Sequence, residues 1–248
     1  MSTNLRTHRR AFTVPELLAV VAIIMIIISI LLPSLVKARK ITYIAVCASN
    51  QHQIGVAQQN YLIDSRNVYP TLYNWADLVG EKGGTAHYGS SSYNVTKRPL
   101  DSYLGAEKDD QKVQVAQCPA DLGDPLNGGV PNAFKAYGTS YLPQWKSDFF
   151  RVKYVYGQTG NATSFPSMTK AQITSPANKI LLGDWVWHGN RLVSNRQTHW
   201  HGEGQLRQLN FLMADIHVVY LTIPTAETDM SVNASFNTGT PNPSHTYW

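Results

Sequence analysis

Residues 17–32 read LLAVVAIIMIIISILL, and Ser29 is the one position that is not Ala, Val, Ile, Leu or Met. No Asp, Glu, Lys or Arg falls from Leu17 through Val36, a run of twenty residues. A helix of that length spans roughly 30 Å, the hydrocarbon thickness of a bilayer. Basic residues flank it: Arg6, Arg9 and Arg10 before, Lys37, Arg39 and Lys40 after. Residues 41–63 again lack Asp, Glu, Lys and Arg, but polar positions now alternate with apolar ones. Ile44, Cys47, Ala48, Ile54 and Tyr61 recur near helical spacing, with Gln51 and Gln58 interrupting that face. The pattern predicts one helix from about Pro15 to about Ile63, bent near Pro33, whose second half lays one face on a globular domain. Asp64-Ser65-Arg66-Asn67 and then Pro70 close it.

Beyond the helix the pattern turns β-like. Expected strands are Lys112–Gln117, Lys153–Tyr156, Asn178–Asp184, Leu209–Ala214 and His217–Ile223. Stretches rich in Gly, Asn, Ser and Pro at 80–98, 123–140 and 157–168 read as long loops. The polar tail 224–248 reads as loosely ordered. The expected class is α+β: one long N-terminal helix packed on an antiparallel sheet. No internal repeat or second domain boundary stands out.

Composition qualifies this picture. Only 15% of the 248 residues are charged, the net charge is +5, and there are two cysteines. Two cysteines are too few for a disulfide-rich scaffold or a four-cysteine zinc site. A buried core helix rarely has twenty such residues in a row. A cleaved secretory signal has a shorter apolar region and a small-x-small site, whereas this run ends in LVKARK. The run therefore reads as a retained anchor. Glu16 stands at its edge, and an ionisable group there is a functional signal unless it merely caps the helix dipole.

The string Arg9-Arg10-Ala11-Phe12-Thr13-Val14-Pro15-Glu16-Leu17-Leu18 resembles the type IV prepilin signal: a basic leader, a small residue, then Phe-Thr-x-x-Glu-Leu and an apolar helix. The resemblance implies cleavage by a prepilin peptidase after Ala11 and N-methylation of Phe12. It also implies a role for Glu16 in assembly and a helix-kinking role for Pro33. Two departures are Ala11, where the family usually has Gly, and Pro15, acceptable in a first helical turn. Later blocks resemble pilin-like proteins with a processing-associated C-terminal domain. These are Cys47 to Gly55, Cys118-Pro119-Ala120-Asp121, Thr139-Ser140-Tyr141, Ser175 to Asp184, and Asn210 to Val218. Together they cover roughly residues 6 to 222. His199, His201, Asp215 and His217 match the family's distal His and Asp-Gly-His motif, except that Ile216 replaces the glycine. A β-branched residue suits a left-handed turn position poorly, so the turn is expected to be rebuilt or the register changed.

The implied architecture is a pilin-like fold. It comprises a leader (1–11), a transmembrane and assembly helix (12–36), an extramembrane half-helix (37–65), a β-rich head (66–223) and a tail (224–248). With the arginine-rich end inside, the head lies outside the cytoplasm, where disulfides form. A Cys47–Cys118 bridge is expected there, two buried thiols being the alternative. Loss of residues 1–11 removes three arginines and no acid, so the charge falls from +5 to +2.

Enzyme signatures are missing: there is no Gly-x-Ser-x-Gly, Gly-x-Gly-x-x-Gly or His-Glu-x-x-His. His199-Trp200-His201 on a strand would put two imidazoles on one face, and with Asp215 it is a weak metal candidate. Calcium is another, through Asp121, Asp124 and Asn127, without EF-hand spacing. The bland alternative is a patch of hydrogen-bonded histidines and tryptophans. No cofactor is expected, and the basic charge is not a nucleic-acid patch, since much of it flanks the anchor. The leading expectation is a non-enzymatic, prepilin-like subunit of a type IV pilus or type II secretion pseudopilus. Its partners would be the prepilin peptidase, other pilins and the inner membrane. Two alternatives are an anchored binding module for glycans or a surface partner that does not polymerise, and a metal-dependent hydrolase.

Overall fold

The computed structural model describes residues 13–81, 98–107, 111–126, 129–145, 152–159, 164–188, 191, 195–202, 204 and 206–223. Helix α1 (Val14–Asp64) is continuous through Pro33. It divides between two compact units, one ending at Thr42 and the other beginning at Tyr43.

In the first unit the apolar side chains are exposed throughout. Leu17, Ile23, Met25, Ile30 and Leu32 are each more than half exposed. The hydroxyls of Ser29 and Ser34 donate back to the carbonyls of Ile26 and Leu31, both at 2.7 Å. The polar atoms of the apolar run are thus satisfied inside the helix, as a lipid environment requires. The segment is long and apolar enough to cross a membrane.

In the second unit the same helix is half buried. Its inward face is Cys47, Gln51, Ile54, Gly55, Gln58 and Leu62, a helical stripe that also takes in Ala57. The two glutamines expected as interruptions are part of this face. Gln58 Oε1 accepts the Tyr156 hydroxyl at 3.2 Å. The helix ends where expected: Arg66 is left-handed (φ 56°), and the Asn67 N–H reaches the Leu62 carbonyl at 2.7 Å, a Schellman-type closure.

The sheet is antiparallel, in the order β1 (Tyr141–Pro143), β2 (Ile180–Asp184), β3 (Gln208–Met213), β4 (Val218–Thr222). Alternation along β3 sends Asn210 and Leu212 towards α1, while Phe211 meets Trp187 on the other face. Gly183 on β2 makes this second layer possible, because a Cβ there would lie 2.9 Å from both Phe211 and Trp187.

The α+β class and the strands β2, β3 and β4 agree with the sequence pattern, whereas strand β1 is not among the expected strands and three further details differ. Lys112–Gln117 is not a strand: Gln114–Ala116 forms a 3₁₀ turn, and the cysteine just beyond it is tied to α1. Lys153–Tyr156 contributes only an isolated bridge, Trp145 with Tyr156. The expected loop 123–140 contains helix α2 (Ala133–Tyr137), which starts on the Asn132 side chain and stops at left-handed Gly138. Ala11, Phe12 and the tail 224–248 lie outside the described residues, as does most of the loop 80–98.

The β3–β4 turn answers the question raised by Ile216. The turn keeps its register, and Ile216 takes the left-handed position itself, at φ 69°. Ile216 N–H bonds the Met213 carbonyl, and Met213 N–H bonds the His217 carbonyl, both at 2.9 Å. This is the three-residue hairpin with a bulge that usually carries glycine. Helix α1 passes beside this turn. A Cβ on Gly55 would come 2.8 Å from Leu212 Cδ1 and 3.4 Å, an ordinary contact, from the Ile216 Cβ and Cγ2, so the bare helix backbone admits Leu212 and Ile216 packs beside it. Packing of Ile216 offsets an αL cost of about 1–2 kcal/mol.

Candidate functional site

At the helix start the sequence Thr13-Val14-Pro15-Glu16 is a capping box. Glu16 Oε2 accepts the Thr13 backbone N–H at 2.9 Å and the Thr13 hydroxyl at 2.7 Å. The expected assembly acid therefore already serves its own chain as a cap. The Thr-x-x-Glu spacing of the sequence carries this cap in addition to the dipole effect. Ala11 and Phe12 of the expected cleavage site lie outside the described residues, and Pro33 sits exposed inside α1.

The second focus is where α1 meets the sheet. Cys47 on α1 and Cys118, just after the 3₁₀ turn, form a disulfide with Cα atoms 5.2 Å apart and a sequence separation of 71. Closing a loop that long stabilises the fold by about 4 kcal/mol on the chain-entropy account. The bridge is fully buried, with Cys47 0% and Cys118 1% exposed. Neighbouring contacts hold the helix in place. Asn50 Nδ2 donates to the Gln117 carbonyl at 2.8 Å, and Asn210 Nδ2 to the Ile44 carbonyl at 3.3 Å.

Asp184, at the end of β2, lies against this bridge with no solvent exposure. Its carboxylate accepts the Asn210 backbone N–H at 2.7 Å and Gln51 Nε2 at 3.1 Å. His201, also fully buried, places Nε2 at 3.4 Å from Asp184 Oδ2 and 3.5 Å from Cys118 Sγ. Among the described residues this is the one group of three or more His, Cys, Asp or Glu side chains close enough to share an ion. Nothing in the sequence links the cysteine pair 47/118 to His201, which lies 83 residues beyond Cys118. The sequence pattern groups Asp184 with the histidines and tryptophans of residues 185–217 and not with the cysteines, and it gives Gln51 only as an interruption of a helix face.

The other expected residues are dispersed. His199 is not on a strand; it follows a 3₁₀ turn (Arg196–Thr198) and is half-buried. It does not join His201 in a shared site, because a 3₁₀ turn and bend do not repeat every second residue as a strand does. Asp215 and His217 pair at the hairpin tip, Oδ1 to Nδ1 at 2.5 Å, with both side chains 40% or more exposed. Asp215 and Ile216 also line a cleft of about 370 Å³ with Tyr69 and Lys170. Burial raises the Tyr69 hydroxyl beyond its ordinary range.

The oxygens considered for calcium have other partners. Asp121 accepts the N–H groups of Gly123, Ala133 and Phe134 and the Ser140 hydroxyl, at 2.7–2.8 Å, and so caps α2. Its burial raises the carboxyl above the usual range, while those four hydrogen bonds pull it back down. Asp124 is fully buried, paired with Arg191 at 2.9 Å and bonded by Trp185 Nε1 at 2.7 Å. Asn127 lies outside the described residues. The tryptophans are equally internal: Trp185, Trp187 and Trp200 are at most 5% exposed, so they offer no open face to a sugar. His188 is buried beside Trp75 and Trp187. Burial, and then Arg191 and Arg207, hold its imidazole well below the usual range and keep it neutral.

Comparison with family models, with curated proteins and with solved structures returned no match.

Proposed function

We propose that this chain is a prepilin-like subunit. A prepilin peptidase cuts it after Ala11, and its N-terminal helix anchors it in the inner membrane before assembly into a type IV pilus or type II secretion pseudopilus. The observation that carries this reading is the first unit of α1. Apolar side chains are exposed around the whole helix, and one acid stands at its head. Such a surface needs lipid or other helices around it. A filament core built from copies of the same helix supplies the second environment after the membrane has supplied the first.

Glu16 has a specific part in that transfer. Cleavage frees an amine at Phe12, and an unpaired charge of either sign is costly in an apolar bundle. Pairing Glu16 of one subunit with the Phe12 amine of its neighbour neutralises both and sets the axial register. The cap to Thr13 holds the carboxylate until that partner arrives. The Cys47–Cys118 disulfide supports placing the head outside the cytoplasm.

N-terminal sequencing from cells with and without the peptidase tests the processing step. A Phe12 terminus is expected only when the peptidase is present, and a Met1 or Ser2 terminus in both strains defeats the proposal. Glu16→Gln tests the pairing, because glutamine preserves the cap and removes the charge. Both Glu16→Gln and Glu16→Ala are expected to abolish assembly. Normal assembly of the glutamine variant reduces Glu16 to a helix cap.

A further inference from the structure

We propose that Cys47, Cys118, Asp184 and His201 are the ligands of a zinc site that the chain forms whenever its two cysteines are thiols. The same four residues then hold either a disulfide or a metal ion. This site does not depend on processing or polymerisation, so it stands or falls apart from the proposal above.

Three observations carry it. First, the four side chains are buried, and their donor atoms all lie within 4.8 Å of one another. Two thiolates, an imidazole and a carboxylate make up a donor set that suits zinc. Second, two of the spacings are those of a tetrahedral site. Zinc bonds of about 2.0–2.1 Å to nitrogen or oxygen and about 2.3 Å to sulfur put neighbouring ligand atoms roughly 3.4–3.5 Å apart when sulfur–sulfur pairs are set aside. His201 Nε2 is 3.4 Å from Asp184 Oδ2 and 3.5 Å from Cys118 Sγ. Two edges are therefore already in place, the others lie within 4.8 Å, and the bonded sulfurs must part. Third, the carboxylate is held as metal ligands are held. Gln51 and the Asn210 N–H fix its two oxygens from α1 and β3. Among the described residues its one ionic partner is His201, so a fully buried carboxylate has no permanent cation beside it. Burial of that kind favours a site that receives a cation.

The chemistry balances without further components. A newly made chain carries two thiols. In the mature chain, a dithiol reductant delivers two electrons and two protons to the Cys47–Cys118 bond and leaves as its own disulfide. Zinc then displaces the two thiol protons to solvent. It takes both thiolates, Nε2 of neutral His201, whose proton resides on Nδ1, and one Asp184 oxygen.

The test uses the full chain in detergent micelles, reduced with a phosphine without oxygen and titrated with cobalt(II), then zinc. One cobalt per reduced chain is expected, with thiolate-to-cobalt charge-transfer bands and tetrahedral d–d bands that one equivalent of zinc abolishes. The disulfide form is expected to show none of these bands. Gln51→Ala should weaken cobalt binding about 10–100-fold by freeing Asp184, and His201→Ala should weaken it more. Absence of a stoichiometric cobalt spectrum in the reduced chain overturns the proposal. So does binding that His201→Ala and Asp184→Ala leave unchanged, since that is chelation by the thiols alone. Should those variants lose their native circular dichroism, X-ray absorption of the zinc-loaded wild type decides. Two sulfurs and two nitrogen or oxygen ligands support the site, and any other first shell refutes it.

Discussion

The first and second units share one helix and treat its side chains in opposite ways. Through Thr42 the isoleucines and leucines face outwards, and the window that could cross a membrane has none of its residues buried. From Tyr43 on, the glutamines at 51 and 58 are among the most buried residues of the chain, at 0% and 1% exposure. Hydrophobicity alone does not decide which side chains of α1 are enclosed. The available partner decides: the head supplies hydrogen bonds for the glutamines, whereas no described residue of the first unit covers the isoleucines. The first unit leaves its apolar surface open, while the second encloses its own.

Substitutions can probe that contrast. The largest effect is expected from Asp124→Ala, which takes the carboxylate from buried Arg191 and the acceptor from Trp185. Urea unfolding of the full chain in detergent should show a loss of about 3–5 kcal/mol; a loss below 1 kcal/mol contradicts a closed second unit. Next come paired truncations on the same helix. Ile54→Ala, at a fully buried position, should cost about 2–5 kcal/mol. Ile27→Ala, at a half-exposed one, should change head stability by less than about 0.5 kcal/mol. Equal losses would break the comparison.

A smaller, pH-dependent effect follows from His188. Its imidazole is held neutral in the folded head, well below the range where the unfolded chain takes up a proton near pH 6.5. Stability from this group is therefore complete above about pH 6.5 and is lost as pH falls, at up to about 1.4 kcal/mol per pH unit. His188→Gln should flatten the slope of unfolding free energy between about pH 7 and 5; an unchanged slope rejects the assignment. The smallest effect is expected at the hairpin. Ile216→Gly relieves the left-handed strain and loses the packing on Gly55, so stability should stay within about 1 kcal/mol of wild type. A larger loss would show that the isoleucine side chain outweighs the strain it carries.

Some of this was legible residue by residue. The long helix, its closure near Asp64 and strands β2 to β4 follow from local patterns of apolar residues and turn formers. With only two cysteines, the disulfide had one possible pairing within the chain. Other features were hidden for physical reasons. Strand β1 is three residues long and contains Pro143, too short for any alternation to show. Gln114–Ala116 has alternating residues but a 3₁₀ backbone, two residues before a cysteine bridged to α1. Helix α2 has an Asn cap and a terminal Gly, both visible in hindsight inside a stretch read as loop.

By itself the sequence determined the apolar length of the first unit, the acid at its head, the α+β class and the resemblance to prepilins. Each of these depends on neighbours a few residues apart, where helical or strand periodicity acts. Only the tertiary structure decided that Gln51 and Asp184 are partners across 133 residues, and Cys118 and His201 across 83. It also decided that Ile216 takes a glycine's place in the turn and packs beside Gly55 of α1. Such contacts are chosen by which faces of α1 and the sheet come together, and burial then sets what a carboxylate, an imidazole or two sulfurs can do.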